Sequence, residues 1–125
     1  MTDDTLVSVR YIVDDVDAAL DFYTKHLGFS EAMSNLPAFA DVQRGNLRLL
    51  LSGPQSSGAR ATPDDMAVPG RNRIHLIVDD VEAEIERLGK EGLTFVSELV
   101  SGPGGRQILL ADPAGNLVEL FTPAS

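Results

Sequence analysis

Three side chains suited to acid–base chemistry or anion binding fall on two short expected strands. Glu119 interrupts the apolar run that follows Asp-Pro-Ala-Gly-Asn, and Arg73 and His75 are separated by one residue. Because alternate residues of a strand share a face, Arg73 and His75 lie on the same side. A carboxylate or an imidazole can act as a general base, and a guanidinium can stabilise an anion. Arg73 can equally pair with Glu119 to form the polar anchor of a binding pocket.

The strands that carry these residues have counterparts earlier in the chain. Gly-Asn-Leu opens an apolar run at residues 45–47 and again at residues 115–117. The stretch 8–16 is matched by the stretch 73–81, and both end in Val-Asp-Asp-Val. Two landmarks repeated in the same order indicate an internal duplication.

Each half of the sequence has the same expected order of elements, one strand, one helix and three strands. The strands alternate in polarity, and the helices have apolar residues three and four positions apart. We expect Asp14 and Asp79 to cap the helices, and Gly28 and Gly92 to end them. The expected strands cover residues 6–13, 29–34, 39–43, 47–52, 73–78, 94–99, 107–111 and 117–122.

Residues 53–72 separate the two halves and show almost no periodicity. They contain three prolines and three glycines. A structureless segment of this length is either a lid or a mobile tether, and the sequence leaves both interpretations open. We therefore expect one domain over residues 1–125, built from modules 6–52 and 73–123 that are joined by this linker.

Composition restricts the possible partners. The 125 residues include no cysteine and give a formal net charge of -9, which argues against nucleic-acid binding. The acidity either keeps the protein soluble or concentrates a cationic ligand. No apolar run approaches the roughly 18 residues of a membrane span. Residues 1–5 are too short and acidic for a signal peptide, so we expect a cytoplasmic protein without a membrane partner.

Two longer motifs connect the chain to a known family. Asp-Phe-Tyr-Thr-Lys-His-Leu-Gly-Phe at residues 21–29 and Asp-Pro-Ala-Gly-Asn-Leu-Val-Glu-Leu at residues 112–120 resemble the vicinal oxygen chelate superfamily. This group contains glyoxalases, ring-cleaving (extradiol) dioxygenases, fosfomycin-modifying enzymes and bleomycin resistance proteins. The resemblance implies a glyoxalase-like α+β fold, in which two βαβββ modules form a cup-shaped mixed sheet. It also implies a homodimer, in which the subunits often exchange modules.

The enzymes of that superfamily hold a divalent metal with residues from the first and last strand of each module. Carried over to this chain, those positions fall on Ser8, Leu49, Arg73 and Glu119. Leucine has no donor atom and arginine stays protonated, so only Glu119 could ligate in the usual way. We therefore expect no metal and no other cofactor. His75 could ligate beside Glu119, but a hydrogen-bonded histidine in the cup wall is the simpler interpretation.

Face alternation predicts the lining of the cup. Aliphatic walls with a few convergent polar groups suit a small-molecule pocket, and charged groups on these faces argue against a plain core. The expected ligand-binding residues are Ser8, Arg10, Leu47, Leu49, Leu51, Arg73, His75, Leu117, Glu119 and Phe121, with Ile12 and Ile77 on the same faces.

The resemblance and the lost ligands together predict a metal-independent, dimeric protein that sequesters a largely apolar or aromatic small molecule. An antibiotic or other natural product would be such a ligand, as for the bleomycin resistance members. The alternative is a glyoxalase-like lyase or isomerase acting on a small carbonyl-containing substrate. In that enzyme Glu119 or His75 would be the general base and Arg73 would stabilise an enolate-like anion. A structural or regulatory domain with an empty cup is a third possibility.

Overall fold

The chain folds into two four-stranded sheets, each with one long helix against it. A computed structural model describes residues 6–124. Residues 1–5, which we expect not to form a signal peptide, lie outside the described part. The elements in chain order are β1 (Val7–Ile12), α1 (Val16–His26), β2 (Ser30–Asn35), β3 (Phe39–Arg44), β4 (Leu47–Ser52), α2 (Ser57–Ala61), β5 (Arg73–Ile77), α3 (Val81–Lys90), β6 (Val100–Gly102), β7 (Gly105–Ala111) and β8 (Leu117–Pro123).

The two sheets have the same topology. The strand order is β1-β4-β3-β2 in sheet 1 and β5-β8-β7-β6 in sheet 2. In both sheets the first and last strands of the module pair in parallel, and the other neighbours are antiparallel. The predicted α+β fold with two βαβββ modules is therefore confirmed.

Aspartate caps both long helices, one residue later than predicted. Asp15 caps α1 and Asp80 caps α3, and each carboxylate accepts a backbone N–H of the first helical turn. The predicted caps, Asp14 and Asp79, are wrong. Either aspartate of each Asp-Asp pair has the right chemistry, but the valine that follows the pair is buried and fixes the first helical residue.

Buried apolar side chains hold the long helices against the sheets. In α1 they recur at helical spacing, and in α3 they lie at both ends. The expected helix ends are confirmed, since Gly28 and Gly92 follow the helices with positive φ angles of 75° and 89°. None of the helices in residues 6–124 is long and apolar enough to cross a membrane.

The segment predicted as a strand over residues 94–99 forms no regular ladder. The Val96 N–H donates to the Leu109 carbonyl at 2.9 Å, but the Leu109 N–H donates to the Ser97 hydroxyl at 2.9 Å. A side-chain acceptor thus replaces the backbone acceptor that a continued strand would need. The pairing strand is β6, which begins one residue after the predicted strand ends.

The linker is more ordered than its composition predicts. It contains the short helix α2, which Ser56 caps by accepting the Ala59 N–H at 3.2 Å. The Thr62 hydroxyl donates to the Gly58 carbonyl at 2.8 Å and closes the other end. A mobile tether would have no regular structure. The first half of the linker contains α2 and therefore does not fit that interpretation.

A buried carboxylate joins the two modules. Asp112, which is 4% exposed, accepts a hydrogen bond from the Tyr23 hydroxyl of α1 at 2.8 Å. The same carboxylate accepts the backbone N–H groups of Ala114 and Asn116 and the Asn116 amide, at 2.8–3.1 Å. Burial and the negative charge of Asp112 raise the pKa of Tyr23 far above its ordinary value, so its hydroxyl stays a donor. A buried charge needs such a complete set of donors.

Replacing Tyr23 with phenylalanine should destabilise the protein, because Asp112 would keep its burial but lose one donor. We expect the free energy of unfolding to fall by about 1–3 kcal/mol in Tyr23→Phe. Thr24→Val is the control, since it removes a hydroxyl of the same helix that donates to the Leu20 carbonyl at 2.7 Å rather than to Asp112. Denaturant unfolding of both variants checks this, and equal effects would show that the Tyr23–Asp112 bond contributes no more than the Thr24–Leu20 bond.

Candidate functional site

Sheet 2 turns one face toward the core and the other, which we call the outward face, away from it. On β5, Ile74 and Leu76 are buried in the core, whereas Arg73, His75 and Ile77 are exposed on the outward face. This alternation follows from the period of two in a strand with one apolar face.

Glu119 on β8 lies between two basic groups of the neighbouring strand. Its Oε1 accepts hydrogen bonds from Arg73 Nη2 at 2.8 Å and Arg73 Nε at 3.2 Å, and its Oε2 lies 3.5 Å from His75 Nε2. The Glu119 side chain is 12% exposed, whereas those of Arg73 and His75 are 47% and 45% exposed. The structure therefore brings together all three residues that the sequence singled out for chemistry. The two hydrogen bonds from the Arg73 guanidinium stabilise a carboxylate that is enclosed in this way.

An aromatic surface continues this cluster. The rings of His75 and Phe121 lie 4.8 Å apart at 41°. The Phe121 ring also lies against Gly105, where a side chain would collide with the ring and with the Thr122 backbone. Gly105 was missed in the sequence, because a glycine in a glycine-rich hairpin gives no separate signal of packing against a ring.

The strand register of sheet 1 corrects part of the predicted lining. Leu49 and Leu51 are fully buried in the core, and Leu47 packs partly against it, so these three predicted ligand contacts are wrong. Leu50 takes the outward position, and it pairs with Arg10 as Glu119 pairs with His75.

Turn length explains this error. In sheet 1 the hairpin pairs Arg44 with Leu47 across two residues, whereas in sheet 2 it pairs Ala111 with Leu117 across five. Leu50 follows Gly45 by five residues (50 − 45), whereas its counterpart Glu119 follows Gly115 by four (119 − 115), so aligning the Gly-Asn of the two turns displaces the following strand by one residue. A displacement by one residue exchanges the two faces of a strand.

The outward residues of sheet 1 contact one another. The Ser8 hydroxyl accepts a hydrogen bond from Arg48 Nε at 2.9 Å, and Arg10 Nη1 donates to the Ser52 hydroxyl at 3.1 Å. Within residues 6–124, no hydrogen bond or ion pair joins these side chains to the Glu119 cluster. In sheet 2, Leu117 pairs with Arg73 at the end of the same outward face.

Asp41 is a second acidic residue of interest, and the sequence analysis did not select it. It lies on β3 opposite Leu50 and is 5% exposed. Its Oδ1 has no hydrogen-bond partner in the described part of the chain, and its Oδ2 is 3.8 Å from Arg48 Nη1. Burial raises the pKa of Asp41, and the Arg48 charge opposes this rise. The feature of the sequence that could have identified Asp41 is an acidic residue inside an expected strand.

Comparison with known families settles the relationship of the chain. A family model for the Glyoxalase/Bleomycin resistance protein/Dioxygenase superfamily matches residues 5–120. The chain belongs to this superfamily. The resemblance to the vicinal oxygen chelate proteins is thereby confirmed, and solved structures of the superfamily have the same fold.

Three solved structures are similar to this chain over nearly its whole length. TnmS3, an antibiotic binding protein from Streptomyces sp. CB03234, is 26% identical with a TM-score of 0.78, covering 99% of both chains. Lactoylglutathione lyase from Agrobacterium tumefaciens is 24% identical with a TM-score of 0.77, covering 98% of this chain and 96% of its own. The bleomycin-binding protein of Streptomyces verticillus, solved with copper(II)-bleomycin, is 23% identical with a TM-score of 0.69, covering 100% of both chains.

The residues present do not fit the divalent metal that the enzymes of the superfamily hold. With the corrected register, the four carried-over positions are Ser8, Leu50, Arg73 and Glu119. Arg73 contributes a fixed positive charge, cannot ligate a metal, and binds one of the two carboxylate oxygens of Glu119. In the described residues, no group of three or more His, Asp or Glu side chains could hold a metal ion.

The Arg73–Glu119 pair should be energetically coupled. Arg73→Leu leaves Glu119 enclosed with His75 alone, and we expect a loss of about 1–2 kcal/mol in the free energy of unfolding, since Arg73 is half exposed. Glu119→Leu combined with Arg73→Leu should cost less than the sum of the single changes. Thermal or denaturant unfolding of the double-mutant cycle gives the coupling. A coupling below about 0.5 kcal/mol would mean that the two side chains do not act as a pair.

Asp41 should make stability depend on pH. Because the folded protein holds the Asp41 proton more tightly than the unfolded chain does, the free energy of unfolding falls as pH rises through the folded pKa. Asp41→Leu, which copies Leu109 at the matching position of sheet 2, should remove this fall and gain about 1 kcal/mol at neutral pH. Asp21→Leu is the control, since Asp21 is 64% exposed. Parallel pH profiles for the wild type and Asp41→Leu would contradict the assignment.

Proposed function

We propose that this protein sequesters a largely apolar or aromatic small molecule, such as an antibiotic or another natural product, without a metal. The observation that carries the proposal is the guanidinium of Arg73 on the carboxylate of Glu119. The pair supplies a fixed polar anchor at the positions where the enzymes of the superfamily place metal ligands. The Phe121 ring beside His75 supplies an aromatic surface for the ligand.

The similarity to TnmS3 supports a binding function. TnmS3 is an antibiotic binding protein, and the two chains align over 99% of their lengths at 26% identity. The two less similar structures support the fold alone. We infer the kind of ligand that this chain binds from its own site, which offers a pair of opposite charges, one imidazole and an aromatic ring.

The alternative function is a lyase or isomerase acting on a small carbonyl-containing substrate. It is favoured by the 3.5 Å separation of His75 Nε2 and Glu119 Oε2, which sets two potential proton acceptors side by side. Arg73 would stabilise the enolate-like anion. Steady turnover of a carbonyl substrate, lost in Glu119→Gln, would favour this enzyme over the binding protein.

Exposed apolar side chains support a homodimer. Ile77 is 63% exposed and Val100 is 55% exposed, and Phe121 and Gln107 lie between them on the outward face of sheet 2. Apolar surface of this kind is typical of a contact with a ligand or a second chain. A cytoplasmic location and the single-domain organisation remain predictions from the sequence.

Ligand binding should stabilise protein from which metals have been removed by chelation. In thermal unfolding against a panel of aromatic natural-product antibiotics, a true ligand at about 100 times its Kd adds about 2.7 kcal/mol. Glu119→Gln should weaken this stabilisation, because Arg73 loses its charged partner. Glu86→Gln is the matched control, since Glu86 is 71% exposed and its ion pair within residues 6–124 is with Lys90 on its own helix.

Two results would contradict this proposal. The first is stabilisation that appears only after a divalent metal is added back. The second is a panel in which no compound stabilises the chelated protein.

A homodimer should be seen in sedimentation at micromolar concentration, with the mass of two chains. Ile77→Asp places a charge in the exposed apolar row and should shift the species toward the monomer. Met66→Asp is the control, because Met66 is equally exposed, at 65%, but lies in the linker. A wild-type monomer at micromolar concentration would exclude the dimer.

A further inference from the structure

A separate cavity of about 480 Å³ lies between the outward face of sheet 1 and the linker. The strands and their turns contribute Arg10, Met33, Asn35, Ala38, Phe39 and Leu50 to its lining, and the linker contributes the segment 55–58. The cavity is within the size range of small-molecule sites. The sheet wall is mainly apolar, through Met33, Phe39 and Leu50, whereas the linker wall is polar and uncharged.

Among the residues that the structure describes, Arg10 is the only charged one in the lining of this cavity. Its Nη1 donates to the Ser52 hydroxyl at 3.1 Å, and none of the ion pairs within residues 6–124 includes it. Arg48, Arg73 and Arg87 all have carboxylate partners. A guanidinium has five N–H donors, so most of the donors of Arg10 are open to a ligand.

Comparison of the two sheets shows what is missing in front of Arg10. On sheet 2, His75 faces the acid Glu119 across the parallel strand pair. On sheet 1, Arg10 faces the aliphatic Leu50 in the corresponding pair. Asp41, the acid of this row, lies one strand further away and beside Arg48. Arg10 on sheet 1 therefore lacks the carboxylate neighbour that His75 has on sheet 2.

Gly58 explains how the guanidinium fits under the linker. A Cβ atom at this position would overlap the guanidinium of Arg10, so the guanidinium lies directly against the linker backbone. Arg10 is thus held between the Ser52 hydroxyl and the linker backbone. A guanidinium held in this way, with open donors, can bind a carboxylate by donating two parallel hydrogen bonds to it.

We propose that this cavity binds a small aromatic monocarboxylate, with the carboxylate on Arg10 and the ring against Met33, Phe39 and Leu50. The inference deepens the proposed binding function, on which it rests, by naming the chemical class of a ligand. A planar carboxylate matches the guanidinium fork, and an apolar ring matches the side of the cavity formed by Met33, Phe39 and Leu50. Inorganic phosphate offers the anion without the ring and should bind much more weakly.

The test compares two probes of the same shape. 2-Naphthoate and its neutral amide, 2-naphthamide, are titrated into the full chain, and backbone amide NMR signals of Ser57 and Gly58 report on the cavity. We expect 2-naphthoate to bind at least about tenfold more tightly than the amide, because only the anion completes the Arg10 pair. Inorganic phosphate at the same concentrations should leave these signals nearly unchanged.

Three variants locate the effect. Arg10→Gln should weaken 2-naphthoate binding by about tenfold or more, and Arg10→Lys should restore part of it, since lysine keeps the charge but lacks the fork. Arg60→Gln is the charge-matched control, because Arg60 lies on α2 outside this cavity. Wild-type affinity in Arg60→Gln, with folding of all three variants confirmed by their NMR spectra, is the supporting result.

Equal binding of the acid and the amide, or unchanged affinity in folded Arg10→Gln, would overturn the carboxylate site. The antibiotic panel separates this failure from that of the proposed function. If a panel compound stabilises the protein but 2-naphthoate does not bind, the binding function stands and the carboxylate site is wrong. If only 2-naphthoate binds, and binds through Arg10, the site stands and the antibiotic-binding proposal fails.

Discussion

The hydrogen bonds around the carboxylate of Asp112 are the constraint on which the remaining structure depends. This buried acid connects the Tyr23 hydroxyl of α1 with the loop that leads into β8. Asn116, in the same loop, also accepts the Asn72 N–H at 2.9 Å and so fixes the entry to β5. Because β5 and β8 carry Arg73 and Glu119, the position of the paired charges depends on polar groups in the core.

Much of the fold could be predicted from the sequence, because repeated strand and helix patterns encode it locally. The carried-over positions of Arg73 and Glu119 also led to a pair that the structure shows in contact. The local sequence pattern could not show that Leu49 and Leu51 point into the core. It depends on how many residues each hairpin turn uses, and two turns that share Gly-Asn use different numbers. The burial of Asp41 depends on neighbouring strands and is likewise invisible in local sequence.

The duplicated sheets have diverged most on their outward faces. On sheet 2 the central acid Glu119 is enclosed by Arg73 and His75, so the charges there are balanced within the protein. On sheet 1 the corresponding row separates Arg10 from Asp41 by Leu50. Core positions in both sheets are apolar, mostly aliphatic, with Tyr11 of β1 as an aromatic member. This pattern is expected where packing restricts one face of a strand and only ligands restrict the other.

The contact between Gly58 and Arg10 has a kinetic consequence. One wall of the sheet 1 cavity belongs to a connecting segment whose own helix, α2, has only five residues. Short elements with few buried contacts open more readily than the sheets to which they are attached. Both the entry and the exit of an occupant would therefore depend on excursions of this connecting segment, while the sheet beneath it stays unchanged. Because a ligand enters and leaves through the same opening, linker substitutions that leave the lining of the cavity intact would alter association and dissociation rates together and the affinity much less.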